Sequence, residues 1–174
     1  MIVLITGATH TGKTLLAQRL LEKLNIPYLS IDHLKMGLIR SGATALTPED
    51  DDKLTEYLWP IVREMIKTAI ENDQDLIVEG CYVPFDWRND FEEIYLGSID
   101  FICLAMTDAY IDAHFEEIAD HASDIEKRLF DDETPDKLKA DNRFYREGFS
   151  QYGEKIALIS EDYRKTIEDL TNGL

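Results

Sequence analysis

Short apolar runs alternate with stretches in which apolar residues recur every three or four positions, and the alternation continues along the whole chain. Five runs are short and aliphatic enough to be strands: Ile2 to Ile5, "IPYLSI" (26–31), "DLIVE" (75–79), "IDFICLA" (99–105) and "KIALIS" (155–160). After the first run, Leu15, Leu16, Ala17, Leu20, Leu21 and Leu24 fall at helical spacing. Between the second and third runs the pattern predicts a short helix at 33–40 and a long one from Pro48 to about Asn72. The long helix carries Leu54, Leu58, Ile61, Val62, Met65, Ile66 and Ala69 on one face, and Trp59-Pro60 is expected to bend it. A further short helix after Asp86 aligns Trp87, Phe91, Ile94 and Tyr95 as core residues. Thr107 or Asp108 caps a helix with Ile111, Phe115, Ile118 and Ala122 on its apolar side, and Pro135 opens another that runs to about Tyr152. Strands alternating with helices predict an α/β fold, a single domain over 1–174 with a parallel sheet covered on both faces.

The junction between the first strand and first helix, "LITGATHTGKTLLAQ" (4–18), carries chemistry. Gly7, Gly12, Lys13 and Thr14 have the spacing of a phosphate-binding loop in the strand, loop, helix setting that the motif requires. Glycine allows positive φ and close backbone approach, so successive N–H groups can form a concave nest for a β-phosphate. A helix starting near Gly12 adds its free N–H groups and positive dipole end. Lys13 would reach the β- and γ-phosphates, and the Thr14 hydroxyl would ligate a bridging Mg²⁺. The expected nucleotide-binding stretch is Gly7, Ala8, Thr9, His10, Thr11, Gly12, Lys13, Thr14 and Leu15, with the His10 and Thr11 side chains pointing outward. ATP and Mg²⁺ are the implied ligands.

Charge narrows the partners. With 18 Lys and Arg against 35 Asp and Glu, the formal charge of −17 repels polyanions, so neither nucleic acid nor an anionic membrane is an expected partner. Much of the acidity lies in "TPEDDDK" (47–53) and "LFDDETPDK" (129–137), where Thr47-Pro48 and Thr134-Pro135 read as helix caps followed by first-turn prolines. Cys81 and Cys103 are too few for a disulfide framework, and Cys103 lies in the apolar run "FICLAM" as an inert core thiol. The N-terminus begins at once with a strand, and no apolar run is long enough to span a bilayer, so a cytoplasmic protein with no obligate protein partner is expected. "HFEEIADH" (114–121) lacks the spacing of a histidine metal site and reads as a solvated helix face.

The phosphate loop, with "YLSIDHLKMGLIRSG" and "DLIVEGCYV", resembles the P-loop kinases of small molecules and nucleoside monophosphates over nearly the whole chain. Within that superfamily it looks most like the 2-phosphoglycerate kinase-like and zeta-toxin-like group, with shikimate, gluconate and adenylate kinases more distant. The resemblance implies a three-layer P-loop kinase fold whose five-stranded parallel sheet has the order 2-3-1-4-5. It also implies a substrate-gripping helical region at about 33–72 and an arginine-bearing lid at about 124–153.

Ligands of open parallel sheets bind outside the carboxyl ends of the strands. Gly7, Asp32, Glu79 with Gly80, Thr107, and Ser160 with Glu161 fall there, whereas Asp75 and Asp100 start their strands and belong to the opposite edge. Asp32 can act as general base toward an acceptor hydroxyl, hold a Mg²⁺-bound water, or cap the helix that follows it. Glu79 suits the metal's water shell or the substrate, or caps neighbouring backbone N–H groups. Lys35 and Arg40 could hold an anionic acceptor. Arg128, Arg143 and Arg146 form the richest arginine cluster, with Arg143 and Arg146 on one helix face, and at least one is expected to meet the transferring phosphoryl group, although Arg143 and Glu147 also suit an ordinary i, i+4 pair. The function expected from these residues is ATP-dependent transfer of the γ-phosphoryl group to a small, anionic, hydroxyl-bearing metabolite. A nucleoside-monophosphate kinase and a slow ATP-hydrolysing regulatory switch are the alternatives.

Overall fold

The computed structural model describes residues 1–120 and 134–174. Ile2–Gly7 form β1, the central strand, and all of its residues are buried. A parallel strand covered on both faces must be apolar at consecutive positions rather than alternate ones, which accounts for the unbroken run Ile2 to Ile5. With β2 (Tyr28–Ser30), β3 (Leu76–Glu79), β4 (Ile99–Met106) and β5 (Ile156–Ile159), it makes a five-stranded sheet in the order β2-β3-β1-β4-β5. Every pairing is parallel. The register aligns Ile5 with Glu79 and Ile102, and Gly7 with Leu104, so the carboxyl ends of β1, β3 and β4 finish along one edge.

The helices are α1 (Lys13–Leu24), α2 (Ile31–Arg40), α3 (Asp51–Glu71), α4 (Glu93–Leu96), α5 (Asp108–Asp120), α6 (Pro135–Gln151) and α7 (Tyr163–Gly173), with a 3₁₀ turn at Trp87–Asp90. On one face of the sheet Val3, Ile5, Ile77 and Leu104 pack with Leu16 and Leu20 of α1 and Ile167 of α7. On the other, Ile2, Leu4, Val78 and Cys103 pack with Leu58 and Val62 of α3, Trp87, and Phe149 of α6. Alternate residues of β1 therefore serve opposite cores, and the three layers follow. A third cluster, Met106, Tyr110, Ile111, Leu138 and Ile159, ties α5 and α6 to the ends of β4 and β5. Burial pushes the Cys103 thiol up to about 12, in keeping with an inert core position.

Local details depart from the sequence reading in three places. α3 begins at Asp51 rather than Pro48, because the Asp50 carboxylate accepts from both Thr47 N and Thr47 Oγ1 at 3.0 Å and closes a turn first. The helix continues through Pro60, which is exposed, so water can satisfy the carbonyl that the proline leaves without a donor. α5 has a non-helical residue, His114, at φ −126°. Asp32 lies inside the first turn of α2 while Ser30 takes the N-cap position. Thr134 caps α6 as expected, with its hydroxyl accepting from Lys137 N at 3.3 Å and Pro135 in first place. Among the described residues, no helix is long and apolar enough to cross a membrane.

Candidate active site

The loop after β1 is shaped by backbone requirements that only certain residues meet. Gly7 has φ 133°, and a Cβ there would come within 2.0 Å of the Leu104 carbonyl oxygen. Gly12 has φ 86°, with the Tyr163 hydroxyl 2.1 Å from where a Cβ would stand. Between them His10 also takes a left-handed conformation at φ 60°, a turn that directs successive N–H groups to one side. Lys13 opens α1, is buried, and donates from Nζ to Ala8 O at 2.6 Å; Thr11 Oγ1 donates to the same carbonyl at 2.8 Å. Thr11 is thus an inward, fully buried loop strut, contrary to the outward position expected from sequence. Burial alone would pull the Lys13 ammonium down, but Cys81, Glu79 and Asp32 around it leave it raised above its ordinary value.

The ends of β3 and β2, and helix α6, meet the loop. Glu79, the last residue of β3, is 1% exposed, and its Oε2 accepts from Thr14 Oγ1 at 3.3 Å. Cys81 lies two residues on, with its thiol directed at Gly7 O at 3.7 Å. Burial raises that thiol's pKa, so it is a weak nucleophile despite the neighbouring Lys13. Asp32, half-buried after β2, accepts from Lys35 Nζ at 2.6 Å. Lys35 also donates to the Tyr82 hydroxyl at 2.9 Å, and Tyr82 donates to Asp51 Oδ1 at 3.0 Å. From α6, Asp141 Oδ2 accepts from Thr9 N at 2.7 Å, and Tyr145 donates to Cys81 O at 3.0 Å.

A cavity of about 620 Å³ runs from these groups across the ends of β4 and β5. Thr9, His10, Gly12, Lys13, Thr14, Asp32, Glu79 and Cys81 form its polar end. Leu15, Met106, Tyr110, His114, Ile118 and Ile167 form a more apolar end, closed by Asp162, Tyr163 and Arg164 before and within α7. The His114 ring stacks on Tyr110, with centroids 4.4 Å apart, and lines the cavity with Ile118, while Glu116, Glu117 and Asp120 are exposed, as expected of a solvated face.

Lys13, Thr14, Asp32 and Glu79 are therefore brought together, with Lys35 beside Asp32 and Gly80 next to Glu79. Arg40 is not. It is exposed at the last residue of α2, roughly 12 Å along the helix axis from Asp32. Arg143 faces α5, where its guanidinium pairs with Asp108 and holds that carboxyl below its usual range. Arg146 is half-buried one turn on, close enough to Asp108 to contribute to the same effect. Arg128 lies outside the described residues. Sequence reasoning missed Asp141, Tyr82, Tyr145, Tyr110 and His114. Tyr82 follows Gly80 and Cys81 after a strand end and could have been found by the rule that found Glu79, whereas Asp141 and His114 depend on how α6 and α5 dock.

No protein-family profile matches the chain, and no curated protein does. Solved structures do share its fold. A sugar kinase from Janibacter has a TM-score of 0.59 at 14% identity, with 98% of this chain and 92% of that one covered. A shikimate kinase from Bacteroides thetaiotaomicron gives 0.56 at 18% identity, covering 99% and 95%. A gluconokinase from Sinorhizobium meliloti gives 0.54 at 12% identity, covering 98% and 89%. Over nearly the whole length these structures share the fold of this chain, a three-layer α/β arrangement whose sheet here has the order 2-3-1-4-5.

Proposed function

We propose that this chain is an ATP-dependent phosphotransferase that moves the γ-phosphoryl group to a hydroxyl of a small metabolite. The observation that carries this reading is the convergence of Lys13, Thr14, Asp32 and Glu79 on one end of a single cavity. The loop N–H groups and the start of α1 bind the phosphates, and Lys13 balances charge that grows on them during transfer. Thr14 Oγ1 and Glu79 Oε2, 3.3 Å apart, join a hydroxyl to a carboxylate, a donor set that suits a hard divalent cation. Mg²⁺ held there, by Thr14 directly and by Glu79 or Asp32 through water, would supply charge neutralisation to the phosphates. The apolar end of the cavity receives the nucleotide base between Leu15, His114 and the start of α7.

Asp32 accepts the proton of the attacking hydroxyl, with Lys35 orienting its carboxylate. Because Lys35 is already paired with Asp32, an anionic group on the acceptor would share Lys35 with it or meet Arg146. The region about 33–72 grips the acceptor, and α6, within the region about 124–153, closes over the phosphates and excludes water. Among kinases the proposed relatives are the 2-phosphoglycerate kinase-like and zeta-toxin-like group, on the strength of the stretches after strands two and three.

Titration of the protein with Mg²⁺·ATP tests the nucleotide half of this reading. Wild type binds, and Lys13→Ala lowers the affinity at least about tenfold with an unchanged circular dichroism spectrum. Equal affinity in the two proteins would refute the assignment of the loop.

A further inference from the structure

Lys35 is held far more closely than a lysine on a helix surface. A carboxylate and an ammonium three residues apart on an open helix attract each other weakly, and both side chains stay free to swing. Here Lys35 Nζ donates to Asp32 Oδ1 at 2.6 Å and to the Tyr82 hydroxyl at 2.9 Å, and it stands 4.9 Å from the centroid of the Tyr82 ring. Its side chain is only 13% exposed. Tyr82 belongs to the segment after β3, so a second element fixes the lysine of α2. Tyr82 is itself buried, and the residue before it is anchored where Cys81 O accepts from the Tyr145 hydroxyl of α6 at 3.0 Å.

The Tyr82 hydroxyl has a single proton to give, and it gives that proton to Asp51 Oδ1 at 3.0 Å, at the first residue of α3. Its lone pairs are thereby left for Lys35. Burial, with Asp51 and Asp32 nearby, pushes the Tyr82 pKa well above its ordinary value, so the hydroxyl keeps the proton that it donates. The result is a directional chain in which Lys35 donates to both Asp32 and Tyr82, and Tyr82 donates to Asp51. Of these four groups only Asp32 lines the cavity, and the other three stand behind it.

We propose that Tyr82 and Asp51 are positioning residues for Asp32: they fix Lys35, and Lys35 holds Oδ1 so that Oδ2 is the oxygen that takes the proton of the acceptor hydroxyl. The inference rests on the reading of Asp32 as the base of a kinase. It adds two residues that touch no ligand and gives the start of α3 a share in the rate.

Tyr82→Phe keeps the ring beside Lys35 and removes only the hydroxyl. ADP release from Mg²⁺·ATP is measured on the full chain, with the hydroxyl compound that gives the fastest release among a set of sugars, sugar acids and amino alcohols. The proteins compared are wild type, Tyr82→Phe, Asp51→Ala, Asp51→Asn, Asp32→Asn and the Tyr82→Phe, Asp32→Asn double variant. Tyr82→Phe and Asp51→Ala each lower kcat about tenfold, as slight misplacement of a reacting group does, while KM for ATP stays within about twofold. Asp51→Asn, whose amide oxygen still accepts the hydroxyl proton, loses at least about threefold less than Asp51→Ala. In the Asp32→Asn background Tyr82→Phe costs less than about twofold, because the carboxylate that it positions is already gone. Asp51 is exposed, so its variants carry the test if Tyr82→Phe melts below the assay temperature. Unchanged kcat in the single variants, or the same loss from Tyr82→Phe with and without the Asp32 carboxylate, overturns the positioning role and leaves the kinase reading standing. Wild-type release at one rate with every compound overturns both.

Discussion

Asp32 combines two contacts that bear differently on fold and on chemistry. Lys35 holds its Oδ1 at 2.6 Å, and Lys35 keeps a second partner in Tyr82. The N-cap position of α2 belongs to Ser30, so replacing the carboxylate by an amide removes no cap. An amide cannot take a proton from an acceptor hydroxyl, and loss of a positioned base typically costs about 10²- to 10⁴-fold. Asp32→Asn therefore lowers kcat at least roughly 100-fold with little change in ATP affinity, measured by steady-state kinetics beside nucleotide titration. Near-normal turnover would reduce Asp32 to a partner for Lys35. At this scale the residues whose placement was legible in the sequence were those fixed by contiguous chain: Gly7, Gly12, Lys13 and Thr14 in one loop, and Asp32 and Glu79 at strand ends. Arg40 shows the limit of that method. Eight residues look near in sequence, yet the rise of α2 carries the guanidinium away from the site.

The elements themselves followed their apolar pattern, and their ends followed side-chain hydrogen bonds that the pattern does not encode. Asp50 is an example with a measurable consequence. Thr47 N–H, Lys53 and the Thr47 hydroxyl hold its carboxyl down to about 2, against an ordinary value of 3.8. Between those two values the unfolded chain binds more protons than the folded one, so this contribution is complete above pH 3.8 and is lost as pH falls toward 2. Acid melts of wild type and Asp50→Asn check it. Wild type loses more stability than the variant across that window, and parallel curves would show that the turn before α3 contributes nothing. The long helix α3 runs through Pro60 as its apolar pattern requires, whereas the break of α5 at His114 was opposite to expectation. In each case tertiary surroundings decide: an exposed carbonyl can turn to water, and the His114 ring gains a stacked partner in Tyr110.

On the scale of the whole molecule, a chain of formal charge −17 gathers the groups proposed to bind phosphate at one edge of one sheet. Parallel topology makes that possible, because every strand delivers its carboxyl end to the same side, and residues from 13 to 141 meet within hydrogen-bond distance of the loop. The sheet order was legible through resemblance, while the cavity wall made by α5 and α7 was not, since it forms only after both helices have docked. The central claim is that this edge transfers a phosphoryl group to a small hydroxyl compound rather than merely cleaving ATP. ADP release from Mg²⁺·ATP, followed with and without a panel of sugars, sugar acids, amino alcohols, phosphorylated alcohols and nucleoside monophosphates, tests it directly. The account predicts that at least one hydroxyl acceptor outside the nucleotides raises the rate about tenfold or more over acceptor-free hydrolysis, because a site closed to water spares ATP until an acceptor enters. Slow release at one rate across the whole panel would contradict it and identify the chain as a nucleotide-hydrolysing switch.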